Sequence, residues 1–349
     1  MYNMAKRITI KDVAKQAGTS YQTVSRVIND KLDVSPETRR RVLEVIEKLN
    51  YRPSMAATSR ANPKTHIIAV AISQYNEYLL YEGDPHLLRL IHGVDQALAI
   101  RNYSLLLSTI HFTNDNTIES RLLNRQLADG VIIRLSMNDQ GQTANTLTEK
   151  GYPVVVIGHS QNPNIPSIRS DDEDGGYTQT QHLLALGHRK IGIISGPEAD
   201  PATSLRKQGH ERAMANSGLD ASSTPTAMGD YTADGGYNAV ASLILDVPDL
   251  TAIAAFSDTM AIGAMQWLSE QGYNIPGDIS IVGYDDIPDA QRQTTPLTTI
   301  SIPSIHEGQC AVQVLFDLIE NRRRLSNEII LPVHLISRKS TGVPRSTVD

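Results

Sequence analysis

The stretch GTSYQTVSRVIND, Gly18 to Asp30, decides how the front of the chain is read. Gly18 stops what precedes it and permits the positive φ that a helix end often needs. Ser20 is placed to cap a new helix, YQTVSRVIN, with Val24, Val27 and Ile28 turned inward at helical spacing. Upstream, Thr9 and Asp12 bracket the start of IKDVAKQAG, with Ile10, Val13, Ala14 and Ala17 along one face. Downstream, Ser35, Pro36 and Glu37 open a third helix that continues through RRRVLEVIEKLN, with Val42, Leu43, Ile46 and Leu49 expected inside. Two short helices joined by a Gly-containing turn and braced by a third make a helix-turn-helix domain.

In such a domain the second helix enters the major groove. Tyr21, Gln22 and Arg26 project away from its apolar face. Gln pairs twice with adenine and Arg twice with guanine. Ser20, Thr23, Ser25 and Asn29 suit phosphate contacts, and Thr9 joins the expected DNA-contacting set. A plain helical bundle with a polar outer face is the bland alternative. The clean turn, the short helices and a basic bias disfavour it.

That bias is local. Residues 1–62 hold 12 Lys and Arg against 6 Asp and Glu, whereas the remainder holds 20 against 32. A basic head in front of an acidic body suggests polyanion binding by the head and another task for the body. The chain has 349 residues, enough for two or three domains, and one cysteine, Cys310. That excludes a disulfide framework or a cysteine metal cluster. With no long apolar run and a polar, basic MYNMAKRITI start, a cytoplasmic location is expected.

From residue 66 the pattern alternates. Apolar strand candidates are HIIAVAI, YSLLLSTI, DGVIIRL, PVVVIGH, KIGIISG, TAIAAFS and DISIVGYD. Helical runs such as PHLLRLIHGVDQALAIR, IESRLLNRQLA, YTQTQHLLALGH, YNAVASLILD and DTMAIGAMQWLSEQG lie between them. Near-continuous apolar strands between helices predict parallel sheets covered on both faces. The series is too long for one such sheet, so two lobes are expected. Ligands of these sheets bind beyond the carboxyl ends of the strands. Several strands here end in polar residues: Ser73 and Gln74, Thr109 and His111, Arg134 and Ser136, Gly158 and His159, Ser257 and Asp258, and Tyr284 to Asp286. Each alone can serve as a helix cap; together they favour a polar-ligand site.

The head, IKDVAKQAGTSYQTVSRVIND to VSPETRRRVLEVIEKLNYRP, resembles without a gap the DNA-binding head of the LacI/GalR (lactose-repressor) family of bacterial regulators. HLLALGHRKIGIISGP, SDTMAIGAMQWLSEQG, GDISIVGYDD, PLTTI and ILPVHLISRKST resemble that family's effector-binding core, so the resemblance covers nearly the whole chain. YQTVSR and several body phrases are closest to the lactose-repressor branch. The resemblance implies an α/β fold: an all-α helix-turn-helix head plus a two-lobed core like the periplasmic sugar-binding proteins. It implies a head over 1–52, a hinge helix over 53–64, one lobe over 65–171 with 301–332, and the other over 172–300 with 333–349. It further implies a cytoplasmic homodimer on a pseudo-palindromic double-stranded operator, a sugar effector such as a β-galactoside or related saccharide, and no enzymatic activity, cofactor or membrane. A trailing leucine heptad of the kind that makes tetramers is not found in the sequence.

Carried over residue by residue, Arg206 in SLRKQG matches an arginine that grips sugar hydroxyls, and Asp285 in VGYDD an acid that accepts from them. Ser257 in AFSD takes an Asn/Ser position, with Thr259 two residues on. Tyr231 stands where the lactose-repressor branch stacks a tryptophan on the sugar. Ser73, Phe112, Arg134, Gly158 and Ile302 fall at approximate pocket positions and depart from that branch. Phe112 and Ile302 suggest a more apolar wall, Arg134 a salt bridge at the cleft edge, a different polar contact or a phosphate or acid group on the effector. In the hinge, Met55, Ala57 and Arg60 are expected at the minor groove. Arg60 replaces the family's usual apolar wedge, so the kink differs or Met55 takes part of that role.

Other readings fall away on spacing. His182 and His188 lack the spacing of a metal helix. SDDEDGG, Ser170–Gly176, lacks the alternating acids and closing Glu of a calcium loop and reads as a crossover followed by a capped helix. VGYDDIPD offers carboxylates with no nucleophile or base beside them. RRRVLEVIEKLNYRP also resembles the catabolite-control branch, so a global regulator with a protein corepressor is the alternative. Gln22→Ala relaxes preference at about one base pair, costing roughly 1–3 kcal/mol in gel shifts on an operator library, whereas Ser25→Ala weakens all sequences alike.

Overall fold

The computed structural model describes residues 8–28, 31, 33–49, 51, 64–73, 85–110, 127–134, 141–322 and 326–345. The chain forms two compact units, Met1–Thr65 and His66–Asp349.

In the first unit, α1 spans Ile10–Gln16, α2 Tyr21–Ile28 and α3 Pro36–Lys48. A reciprocal capping box starts α1: the Thr9 hydroxyl accepts from the Asp12 amide, and the Asp12 carboxylate accepts from the Thr9 N–H at 2.8 Å. Gly18 adopts φ 62°, the conformation that turns the chain between α1 and α2. Ser35 caps α3 with Pro36 in its first turn. Val13, Ala14, Ala17, Val24, Val27 and Val42 form the core, flanked by Ile10, Ile28, Ile46 and Leu49. One reading needs correction and one core residue was missed. Leu43 is 50% exposed. It lies next to Val42, and 100° per residue turns it off the buried stripe. Tyr51, which the helical period did not reach, closes the core from beyond the end of α3.

The second unit begins with β1, Ile67–Ser73, α4, Pro85–Ala99, β2, Ser104–Ile110, and β3, Gly130–Arg134. It continues with α5, Gln142–Glu149, β4, Val154–Ile157, β5, Ser167–Ser170, α6, Asp172–Ala185, and β6, Ile191–Ser195. Then come α7, Pro201–Asn216, β7, Thr226–Met228, α8, Ala233–Asp246, β8, Ala252–Ala255, α9, Asp258–Glu270, and β9, Ser280–Asp285. The last elements are α10, Pro288–Arg292, β10, Thr298–Ser301, α11, Ser304–Ile319, β11, Glu328–Leu331, and β12, His334–Ile336.

The strands make two six-stranded sheets, ordered β11-β5-β4-β3-β1-β2 and β12-β10-β9-β8-β6-β7. Every pairing is parallel except β10 with β12. The described chain passes between sheets after Ser170, after Ser301 and after Leu331. Parallel strands buried on both faces explain the uninterrupted runs: IGIIS, VVVI and AIAA are buried throughout. One sheet's core joins Ile68, Val70 and Ile132 to Leu90 and Val94 of α4 and Leu315 of α11. The other joins Ile193, Ile253 and Ile281 to Val240 of α8 and Leu268 of α9.

Several elements absent from the sequence reading are short or polar inside; α11, long and apolar with Ala311, Val312, Leu315 and Phe316 buried, is also absent from it. β5, β7 and β12 have four residues or fewer. α7 buries Thr203, Arg206, Gly209 and His210, so its inner face carries little apolar signal. The helix expected at IESRLLNRQLA falls mostly on residues 111–126, outside the described residues. So do the hinge positions Met55, Ala57 and Arg60. SDDEDGG is the crossover into a capped helix: Asp171 caps α6 through the Asp174 amide. His188 is buried against Thr251, Ser280 and the Gly342 carbonyl, a tie between strands and the C-terminal segment.

α4 and α11 touch at their backbones. A Cβ on Gly93 would fall inside van der Waals contact of the Ile305 carbonyl. Gly93→Ala therefore wedges the two helices apart and lowers stability by about 1–3 kcal/mol or more in urea unfolding.

Candidate DNA interface and effector cleft

On α2 the apolar face turns in and a polar row turns out. Tyr21 is 50% exposed, and Gln22 and Arg26 are exposed. Arg26 pairs with Asp33 at 3.3 Å, both more than half exposed. Such a pair is worth at most about 1 kcal/mol, so Arg26 exchanges it readily for a stronger acceptor. The hydroxyls assigned to phosphate have local partners. Ser20 Oγ accepts from the Thr23 amide at 3.1 Å and lies 3.0 Å from Thr23 Oγ1. Thr9 Oγ1 donates to Asp12 at 2.7 Å. These groups hold the first turns of α1 and α2, where amide N–H groups are left to face an anion. Asn29 lies outside the described residues.

In the second unit the chemistry gathers where β6, β8 and β9 end. Arg206, on α7, is 8% exposed. Its Nε donates to Asp172 Oδ1 at 2.9 Å, an Nη donates to the Phe256 carbonyl, and the guanidinium lies 3.6 Å over the Tyr284 ring. Asp172 opens α6 just after the crossover and is itself 6% exposed. Burial pushes its carboxyl up; the Arg206 charge and hydrogen bonds, with His159 beside them, more than offset this and hold it below the ordinary range. His159 follows β4 on the other sheet, and its Nε2 comes within 3.7 Å of Asp172 Oδ2. That is a charge contact when the ring is protonated, too long for a hydrogen bond.

Asp285 ends β9, half-buried, with φ 108°. Behind it Asp258 is buried, accepting from the Thr299 hydroxyl at 2.6 Å and the Ile287 amide at 2.9 Å. Burial, then the nearby Asp285 charge, raises the Asp258 carboxyl well above its ordinary value despite those bonds. Gly283 makes room for it, since a Cβ there would overlap Asp258 Oδ1. Tyr231 sits at φ 67°. Its hydroxyl donates to Asp200 at 2.7 Å and lies 2.9 Å from Thr203 Oγ1, which fixes the ring, and burial followed by the Asp200 charge pushes the phenol up.

Arg206, Tyr231 and Asp285 share one electrostatic neighbourhood. Ser257 caps α9 through the Met260 amide at 3.1 Å and is 5% exposed, while Thr259 stands half-buried in the same first turn. Ile302 is 7% exposed and packs with Tyr284 and Ile300 rather than standing as an open wall. Gly158, φ 102°, follows β4, and Ser73 and Arg134 end β1 and β3, so these three lie at the strand ends of the first sheet. Phe112 lies outside the described residues. A pocket of about 530 Å³ beside β7 and α8, lined by Thr226, Met228, Asn238 and Asp246 among others, involves none of these positions. Sequence reading missed Asp172. Its partner is 34 positions away and nothing in SDDEDGG distinguishes it from the capping acids around it.

A helix-turn-helix head joined to a doubly wound two-sheet core with polar strand ends defines a DNA-binding regulator with a small-molecule core. Comparison with known proteins agrees. The model for bacterial regulatory proteins of the lacI family matches residues 9–54, and that for a periplasmic binding protein-like domain matches 180–341. The regulator CelR of Thermobifida fusca is 32% identical over 96% of this chain and 98% of its own length. Catabolite control protein A of Priestia megaterium is 32% identical over 96% and 99%. Among solved structures, a lac repressor dimer bound to operator and the anti-inducer ONPF superposes with a TM-score of 0.85, at 30% identity over 97% of this chain and all of that one. A CelR–cellobiose complex superposes at 0.71, with 32% identity over 96% and 100%. The chain belongs to the LacI family and is a DNA-binding transcriptional regulator. No helix among the described residues is long and apolar enough to cross a membrane.

Removing one partner of a buried pair strands the other charge. At pH 7, Asp172→Asn costs about 3–5 kcal/mol in urea unfolding. Because the folded carboxyl lies below its unfolded value of about 4, the wild-type advantage is complete above that pH and is lost as pH falls through the folded value. Unfolding midpoints of wild type and variant therefore converge in acid.

Proposed function

We propose that the chain is a repressor of sugar-utilisation genes. Two copies bind a pseudo-palindromic operator through paired heads, and a saccharide held between the lobes changes operator affinity. Tyr21, Gln22 and Arg26 read bases, while Met55, Ala57 and Arg60 of the hinge meet the minor groove. The observation that carries the effector half is Arg206 anchored on Asp172 with Asp285 and Tyr231 in the same neighbourhood. Hydroxyls of a sugar exchange charge-assisted hydrogen bonds with such groups. An aromatic ring covers its CH face, and Tyr231 is the ring available. The likeness to a CelR–cellobiose complex supports a saccharide, with a β-galactoside or a related sugar as the class.

Similarity to catabolite control protein A supports a second reading, in which a partner protein acts as corepressor. Sugar titration separates the two. Lactose, cellobiose and glucose 6-phosphate are titrated in operator gel shifts and calorimetry. A saccharide that weakens operator binding must itself be bound more weakly on operator, by the same factor. Asp285→Asn weakens saccharide binding by about 1.5–3 kcal/mol and leaves sugar-free operator affinity unchanged. A wider sugar panel with no effect on operator binding sinks the effector reading.

A further inference from the structure

Asp285 and Asp286 are consecutive non-glycine residues with positive φ, 108° and 55°. A Cβ disfavours that region, and such backbone persists only where its surroundings over-determine it. Arg338, Asp258 and Arg89 are among the groups that hold the segment. The Asp286 carboxylate pairs with Arg338, which also donates to the Leu297 carbonyl at 2.8 Å. The Ile287 amide is held by Asp258 at 2.9 Å. The Asp286 carbonyl accepts from Arg89 Nη1 at 2.7 Å. Arg338, Leu297 and Asp258 belong with the sheet that carries β9. Arg89 does not: it lies on α4, which packs on the other sheet. Of these three, it alone reaches across from the opposite lobe.

We propose that Arg89 is a positioning residue for Asp285. Its cross-lobe hydrogen bond to the Asp286 carbonyl holds the left-handed turn that aims the Asp285 carboxylate, so the grip on effector depends on how the two lobes are apposed. This rests on the reading of Asp285 as an effector acid. The contact gives that reading a physical route: a shift of α4 away from β9 withdraws a charged donor from the turn, and the acid loses its aim. Conversely, a ligand that holds Asp285 in place favours the apposition in which Arg89 reaches Asp286, which is the reciprocity that coupled sites require.

The test uses the full chain with Arg89→Met, which keeps the aliphatic stem, and Arg89→Lys, which keeps a donor and a charge. Hydrogen exchange of the Ile287 amide is measured without sugar, and the Kd for lactose and cellobiose by calorimetry. Expected are exchange at Ile287 about tenfold faster in Arg89→Met, a Kd about tenfold weaker for the saccharide that binds wild type, and partial recovery of both in Arg89→Lys. Unchanged exchange overturns the proposal whatever the titration shows. Faster exchange with an unchanged saccharide Kd also overturns it, because the turn would then not aim Asp285. If wild type binds neither sugar, the titration is run with the saccharide that the wider panel identifies; a panel with no binder sinks the effector reading separately, and the exchange measurement still decides whether Arg89 clamps the turn.

Discussion

The second unit is organised around one buried ion pair. Arg206 and Asp172 are each more than nine-tenths buried, and each is tolerable there only because of the other. The pair joins α7 to the first turn of α6, directly after the chain leaves one sheet for the other. Around it the Phe256 carbonyl accepts a further guanidinium hydrogen bond and the Tyr284 ring covers the cation's face. Once this pair is set, the ends of β8 and β9 and the start of α6 are tied to a single point. A buried guanidinium already neutralised by its carboxylate presents fixed, pre-organised donors at low reorganisation cost, which suits hydroxyl recognition.

Backbone conformation at the same place is unusual in a consistent way. Tyr231, Asp285 and Asp286 all have positive φ, and all lie where strands run out into the site. Each carries a side chain whose direction matters more than its propensity. Hydrogen bonds supply what propensity withholds: Asp200 and Thr203 at the Tyr231 hydroxyl, Arg338 and Arg89 around Asp286. Among the contacts between the lobes are His159 beside Asp172 and the Arg89 hydrogen bond to the Asp286 carbonyl, and both touch groups that form the candidate site.

The head follows a different logic. Its helices are short, and each is specified locally by a cap, a turn glycine and an apolar stripe. The hydroxyls of Thr9, Ser20 and Thr23 are spent on starting helices, which leaves Tyr21, Gln22 and Arg26 as its outward chemistry.

These two logics explain what was legible. Caps, the Gly18 turn and the inward valines of the head could be read directly, because they depend on neighbours within four positions. So could the alternation of buried parallel strands and helices, because burial on both faces leaves a continuous apolar run. Arg206, Tyr231 and Asp285 were reached through family resemblance; their mutual proximity was not visible in spacing, since 54 residues separate Tyr231 from Asp285. By itself the sequence determined the three helices of the head, the alternation of strands and helices in the body, the basic head and the outward residues of α2. Only the tertiary structure decided that Asp172 rather than its acidic neighbours is buried against Arg206, that Ile302 packs inward beside Tyr284, and that Arg89 reaches Asp286. An ion pair across 34 positions and a guanidinium-to-carbonyl hydrogen bond across 197 are set by how sheets and helices converge, and no local period encodes them.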